Sequence, residues 1–235
     1  MRKLSILFLF LSFHGSLYAQ TIFIGYKRSP NIEYQLRNEF RPEVRKRVAN
    51  YLEKTVKQYV LITTDTTSIY ALAAQQHTPA TSLNLMNVEG CYKNLAENRL
   101  VMDVSIRDEA YFIEDKLTLF QLKPIKGKKK ILGHTCKAFE AIYQGKEKFT
   151  FWVTKEVDLK NGPAEFHTNE GLILQVQAKS YSLTAQSIRF SENTEKITIP
   201  EAPKKAALMT YSAYKDQIEQ IKQSVKSNTK TIDHD

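Results

Sequence analysis

From Tyr59 to Phe190 the chain is a succession of short β-branched and aromatic runs cut by turn signals, and this pattern limits the fold more than any other feature. "YVLIT" and "SIYALA" flank Asp65-Thr66-Thr67, "LVMDVSI", "AYFIE" and "LTLFQLK" follow at short spacing, and "YSLTAQSIRF" and "EKITI" come later. Such runs suit a pleated, half-buried surface, and their close spacing leaves no room for crossover helices, so they are expected to pair antiparallel. Cys136, Ala138, Glu140 and Ile142 alternate with Lys137, Phe139, Ala141 and Tyr143, and the second set carries the bulkier rings expected in the core. Phe149, Phe151 and Val153 share one face of the next run, opposite Thr150 and Trp152. Leu172, Leu174 and Val176 share a face opposite Ile173, Gln175 and Gln177. The stretch around His77 to Arg99 has no clear period, and Gly90 beside Cys91 suggests a loop. The Lys126–Lys130 cluster with Gly127 inside it is expected at a hairpin tip.

Helical periodicity appears twice. After Pro42, Val44, Val48, Tyr51, Leu52 and Val56 recur at spacings of three and four, and downstream of Pro203 so do Tyr211, Tyr214, Ile218, Ile221 and Val225. Both stripes are expected to dock on the sheet rather than on a membrane surface or a coiled-coil partner. The fold class is therefore α+β, mainly antiparallel β: a curved sheet or half-barrel with flanking N- and C-terminal helices. With no Gly/Ser linker and no repeat, residues 20–226 read as a single domain followed by a polar tail over 227–235.

Residues 1–19 read as a secretory signal peptide, because Arg2 and Lys3 precede an apolar run from Leu4 to Phe13 and Ala19 precedes Gln20. That run is shorter than the roughly 20 apolar residues a membrane span requires. The expectation is an exported protein of the periplasm, outer-membrane-associated or secreted, without a transmembrane segment once the leader is removed. Lys and Arg number 34 against 25 Asp and Glu, a formal +9 that falls by two with Arg2 and Lys3. This balance favours anionic partners weakly, since the lysines are spread along the chain, and no nucleic-acid motif accompanies them.

Cys91 and Cys136 form an even pair, and in an oxidising compartment a disulfide between them is expected. Closing that loop would stabilise the fold by roughly 4 kcal/mol in the chain-entropy model. The alternatives are two buried unpaired thiols, or a Cys136 nucleophile beside His134, for which no third orienting group is found.

The segment from Ile131 to Val176 combines Gly133, Cys136 and Ala138 at a strand start, an aromatic strand around Trp152, the Asn161-Gly162-Pro163 turn and the strand Gly171-Leu172-Ile173-Leu174. In that order it resembles the GLPGLI family of exported bacterial proteins, although Thr168, Asn169 and Glu170 stand where the first half of the name-giving motif would be. The resemblance implies no established reaction. A more distant likeness of such proteins to LolA-like lipoprotein carriers implies a half-barrel with an apolar concavity.

No catalytic set stands out. His77, His134, His167 and His234 are isolated, neither His-x-x-x-His nor Cys-x-x-Cys spacing occurs, and so no metal and no cofactor is expected. The pairs Asp108-Glu109 and Glu114-Asp115 put neighbours on opposite strand faces. The expected function is non-enzymatic binding of an apolar ligand or lipid, with Phe149, Phe151 and Trp152 facing it. The alternatives are a protein-binding accessory of an outer-membrane receptor or transport system, and a thiol-dependent hydrolase using Cys136.

Overall fold

The computed structural model of the protein describes residues 20–36, 41–73, 86–106, 109–117, 119–192, 196–201 and 207–230. The leader, His77, Asp108, His234 and the end of the polar tail lie outside the described residues. Among the described residues twelve strands form one sheet. In chain order they are β1 (Thr21–Pro30), β2 (Lys57–Thr63), β3 (Thr67–Leu72), β4 (Met86–Asn94), β5 (Arg99–Ile106), β6 (Glu109–Lys116), β7 (Phe120–Ile131), β8 (His134–Tyr143), β9 (Glu147–Thr154), β10 (Leu172–Gln177), β11 (Tyr181–Ser191) and β12 (Ala207–Met209). Three helices accompany them: α1 (Ile32–Gln35), α2 (Pro42–Glu53) and α3 (Tyr211–Lys230). The strand order is β12-β6-β5-β4-β3-β2-β1-β11-β10-β9-β8-β7, antiparallel throughout except for the parallel β12–β6 pair. Among the described residues the sheet is open, with β12 and β7 as unpaired edges, so it is not closed into a barrel.

Several expected elements sit differently. The run at 195–199 forms no strand among the described residues, whereas the N-terminal stretch, which carries little alternation, is the central strand β1. Gly90 lies within β4 at a bulge rather than in a loop, because the register shifts between Val88 and Gly90. The lysine cluster is inside β7, and its hairpin turns at Leu132 and Gly133. In β10 a bulge between Ile173 and Gln175 adds one residue, which reverses the alternation: Ile173 and Val176 join one core cluster, Leu172 and Leu174 another. Helix α2 stops at Glu53, leaving Val56 outside it.

The sheet is curved, and the contacts of Tyr211 define how far. Its backbone N–H donates to Asp115 Oδ2 of β6 at 3.0 Å, while its ring meets Tyr143 of β8 edge-on at 5.2 Å. These strands stand near opposite ends of the strand order. Ser212 accepts from Gln144 at 3.1 Å, and Lys215 pairs with Glu147 at 2.7 Å. The first turn of α3 therefore spans the gap that no backbone ladder closes.

The space enclosed is filled by the connection from 155 to 171. Val157, Leu159 and Phe166 are buried, and Phe166 packs against Phe120, Phe149 and Phe151 with centroid distances of 5.2–5.4 Å. The connection is held by Lys93, which projects from β4 and is fully buried. Its ammonium donates to Gly162 O at 2.6 Å, Phe166 O at 2.9 Å and Asn161 Oδ1 at 3.0 Å. All three protons are used, which is the condition under which a buried charge is tolerated. Asn161 in turn donates to Thr63 at 3.2 Å, and Tyr26 donates to Ile173 O at 2.6 Å. Lys93→Ala leaves the Gly162 and Phe166 carbonyls without this donor, and an equilibrium denaturation series is expected to show a loss of about 2–6 kcal/mol, at roughly 1–3 for each buried acceptor.

Candidate functional site

The inward rows of β1, β2, β3 and β11 carry an unusual number of tyrosines, and a period of two places them together. Tyr26 pairs with Tyr59 in register across β1 and β2, and Arg28 pairs with Lys57 two residues further along. Tyr59 stacks on Tyr70 at 5.0 Å with an interplanar angle of 11°, and Tyr26 meets Tyr70 edge-on at 6.2 Å. On the other side of β1, the guanidinium of Arg28 lies 4.6 Å from the centre of the Tyr181 ring. From α3, Tyr211 and Tyr214 add rings 6.0 Å apart, and from the 155–171 connection Glu165 accepts a 2.9 Å hydrogen bond from the Tyr211 hydroxyl.

Two charges act on this group of rings. Burial raises the Tyr70, Tyr181 and Tyr214 phenols above the ordinary tyrosine value, Tyr214 to about 12; the Glu165 carboxylate raises them further, and Arg28 lowers them. Arg28 and Glu165 thus act with opposite sign on the same three tyrosines. The residue before Glu165, Ala164, is held at φ +47°, a conformation that costs a non-glycine residue of order 1 kcal/mol and sets the carboxylate's position. The Tyr70 hydroxyl is buried with no hydrogen-bond partner among the described residues, and Tyr70 is only 4% exposed. Next to Arg28 and Tyr181 a cleft of about 370 Å³ opens, lined also by Pro30, Gln35, Leu52, Thr55 and Ser180. Flat rings with polar hydroxyls, one cation and one carboxylate suit a ligand that has both apolar faces and hydroxyl edges.

The residues singled out in the sequence occupy other places. Phe149 and Phe151 belong to the closed phenylalanine cluster, at 8% and 0% exposure. Trp152 is half-buried on another face, with Lys129 3.8 Å above its ring and its indole N–H donating to Gln177 at 2.8 Å. Ala138 is buried beside it, and Gly127 lies so close that an added Cβ would meet Ala138 at 3.0 Å and Trp152 at 3.1 Å. Gly133 turns the β7–β8 hairpin. Gly162 and Gly171 serve close packing: a Cβ at Gly171, whose φ is +145°, would stand 2.2 Å from the Thr154 carbonyl oxygen, and one at Gly162 would stand 2.9 Å from that of Phe166. Pro163 follows Gly162 in the same buried turn, and Leu172, Ile173 and Leu174 are fully buried. These positions meet the steric demands of a packed connection.

Cys91 and Cys136 are free, so the expected disulfide is absent. Six strands separate β4 from β8 in the sheet, and each thiol is buried at 0% exposure. Burial pushes the Cys91 thiol up to about 12 and the Cys136 thiol up to about 11, with nearby lysines lowering both, the reverse of what a nucleophile needs. Thiol labelling of the native protein should modify neither cysteine, both should react in denaturant, and a reductant should leave the melting temperature unchanged.

His134 pairs with Glu156 at 3.4 Å, Glu114 with Arg99 at 2.8 Å, and Asp115 caps α3. Glu109 accepts from the Tyr111 hydroxyl at 2.6 Å. Among the described residues no group of three or more His, Cys, Asp or Glu is placed to hold a metal ion. No helix among them is long and apolar enough to cross a membrane. His167 is mostly buried, and burial together with Lys93 lowers its pKa to about 4. Unfolded, it binds a proton near its ordinary value of 6.5, so the unfolded chain holds more protons between these values and stability falls as pH drops through that window. His167→Gln should flatten the loss seen from pH 6.5 to 5 in pH-dependent melting, a range above most carboxylate titration.

The comparisons with known proteins redirect the functional reading. A family model described as "N-glycanase peptide, N-terminal domain" matches residues 49–216. The resemblance to the GLPGLI family is overturned by this match, and with it the lipid-carrier, receptor-accessory and thiol-hydrolase functions attached to that reading. The enclosed space is also occupied by the protein's own side chains, which removes the apolar hollow a carrier would need. Two crystal forms of PNGF-II superpose with TM-scores of 0.54 and 0.51, each at 18% identity, covering 84% and 85% of this chain. The match covers 33% of the PNGF-II chain, so this chain spans about a third of that protein's length. No curated protein matches the sequence.

Proposed function

The chain belongs to the family of N-glycanase peptide N-terminal domains, and on that premise we propose that it recognises the carbohydrate of N-glycosylated polypeptides at the cleft beside Arg28 and Tyr181. The observation that carries this reading is the half-buried Tyr181 ring, which has the Arg28 guanidinium 4.6 Å from its centre and lines a cleft of about 370 Å³ beside it. A pyranose ring offers apolar C–H faces to aromatic side chains and hydroxyls around its edge. The Tyr59, Tyr181 and Tyr214 rings are each half-buried and supply such surfaces without needing to unpack the core. Tyrosine hydroxyls donate and accept, Glu165 accepts and Arg28 donates, which covers both senses of a sugar hydroxyl. Burying a hydroxyl against a matching partner discriminates more sharply than apolar contact does, because the unmatched ligand leaves a polar group unpaired.

Export, expected from the leader-like residues 1–19, is part of this proposal, since it puts the protein where glycoproteins are met. Glycan release is assigned to no residue of this chain; recognition is the function proposed. Calorimetric titration with an N-glycopeptide, and with the same peptide after removal of its glycan, tests the idea. Saturable binding that requires the glycan is expected, and Tyr181→Ala should weaken it about tenfold, the equivalent of ~1.4 kcal/mol of ring contact. Equal binding of the bare peptide, or no binding of either, rejects the proposal.

A further inference from the structure

Arg28, which lines the cleft, and Lys57 are direct register partners on β1 and β2. Direct partners share a face, and like charges placed opposite each other on paired strands destabilise the sheet. Neither makes an ion pair with a carboxylate among the described residues. Glu165 is engaged by the Tyr211 hydroxyl at 2.9 Å. Arg28 is exposed and stacked on Tyr181, while Lys57 is half-buried, so water screens the first cation better than the second. Burial and the charge of Arg28 together lower the pKa of Lys57. The adjoining cleft of about 370 Å³ brings the hydroxyl-bearing side chains Thr55, Ser180 and Tyr181 and the amide of Gln35 to the same place.

We infer that the sugar taken by this protein is acidic, with its carboxylate or sulfate seated between Arg28 and Lys57 and its ring in the adjoining cleft against Tyr181. An anion at that point neutralises a repulsion built into the sheet. A guanidinium offers paired donors to either oxyanion, and an ammonium adds a compact third charge. The neutral part of the glycan then reaches the tyrosines further in. This inference rests on the carbohydrate reading above and adds the charge of the ligand.

Three probes decide it: an N-glycopeptide ending in sialic acid, the same glycopeptide after sialic acid is removed, and a version carrying a sulfated terminal sugar. The sialylated or the sulfated probe should bind about tenfold or more tighter than the neutral one, and the advantage should shrink as salt is raised. Whichever acidic probe shows the gain identifies carboxylate or sulfate as the anion. Lys57→Ala should remove the preference for the acidic probe, while Lys57→Arg should retain it, which separates loss of charge from loss of fold. Equal affinity for neutral and acidic probes overturns the acidic-sugar inference and leaves the carbohydrate reading standing. Failure of all three to bind overturns both.

Discussion

The buried ammonium of Lys93 is the interaction on which the rest of this architecture depends. A charge removed from water costs several kcal/mol, and here it is offset by two backbone carbonyls and one side-chain amide oxygen, all from the connection between β9 and β10. A connection of this length would ordinarily run over the surface. Lys93 draws it inward, Phe166 fills the space between the phenylalanines, and Glu165 is carried to the edge of the tyrosine group as a result. The pKa of Lys93 is lowered to about 8 by burial, so near neutral pH it retains the proton that its three acceptors require.

Curvature follows from the same contacts. A flat sheet would separate β6 from β8 by tens of ångströms at about 4.8 Å per strand. Tyr211 touches both. The edges β12 and β7 remain unpaired, and the lysines along β7 make it a poor template for another strand. The tyrosine group and its two charges are consequently assembled from distant parts of the chain: Arg28 near the start, Tyr70 from the third strand, Glu165 from the long connection, Tyr181 from β11 and Tyr214 from the last helix.

The strands with clear alternation were legible, as were both helical stripes, because a period of two or of 3.6 records which side of an element is buried. Bulges were not, since one inserted residue at Leu174 or Glu89 changes facing without changing composition. The site was missed for a related reason. Arg28 and Lys57 look like two more solvating cations in a lysine-rich chain, and β1 was too mixed to advertise itself. A usable signal did exist: Lys93 lies two residues from Cys91, and Arg28 two from Tyr26, so each shares a face with a side chain suited to the core. The motif read as a family signature consisted of residues that serve turns and tight packing, such as Gly162 and Gly171, and these recur wherever a strand must pass close to a neighbour's backbone.

The amino-acid sequence by itself determined that the chain would form an antiparallel sheet with docked helices, because alternation and turn chemistry act over a few residues and need no distant partner. Only the tertiary structure decided that the two cysteines stay apart, that a lysine is buried in the core, and that six tyrosines, one arginine and one glutamate converge. Those outcomes depend on strand order and on bulges. Both are settled by the whole sheet's competition for burial and hydrogen bonds, which no short window of sequence contains.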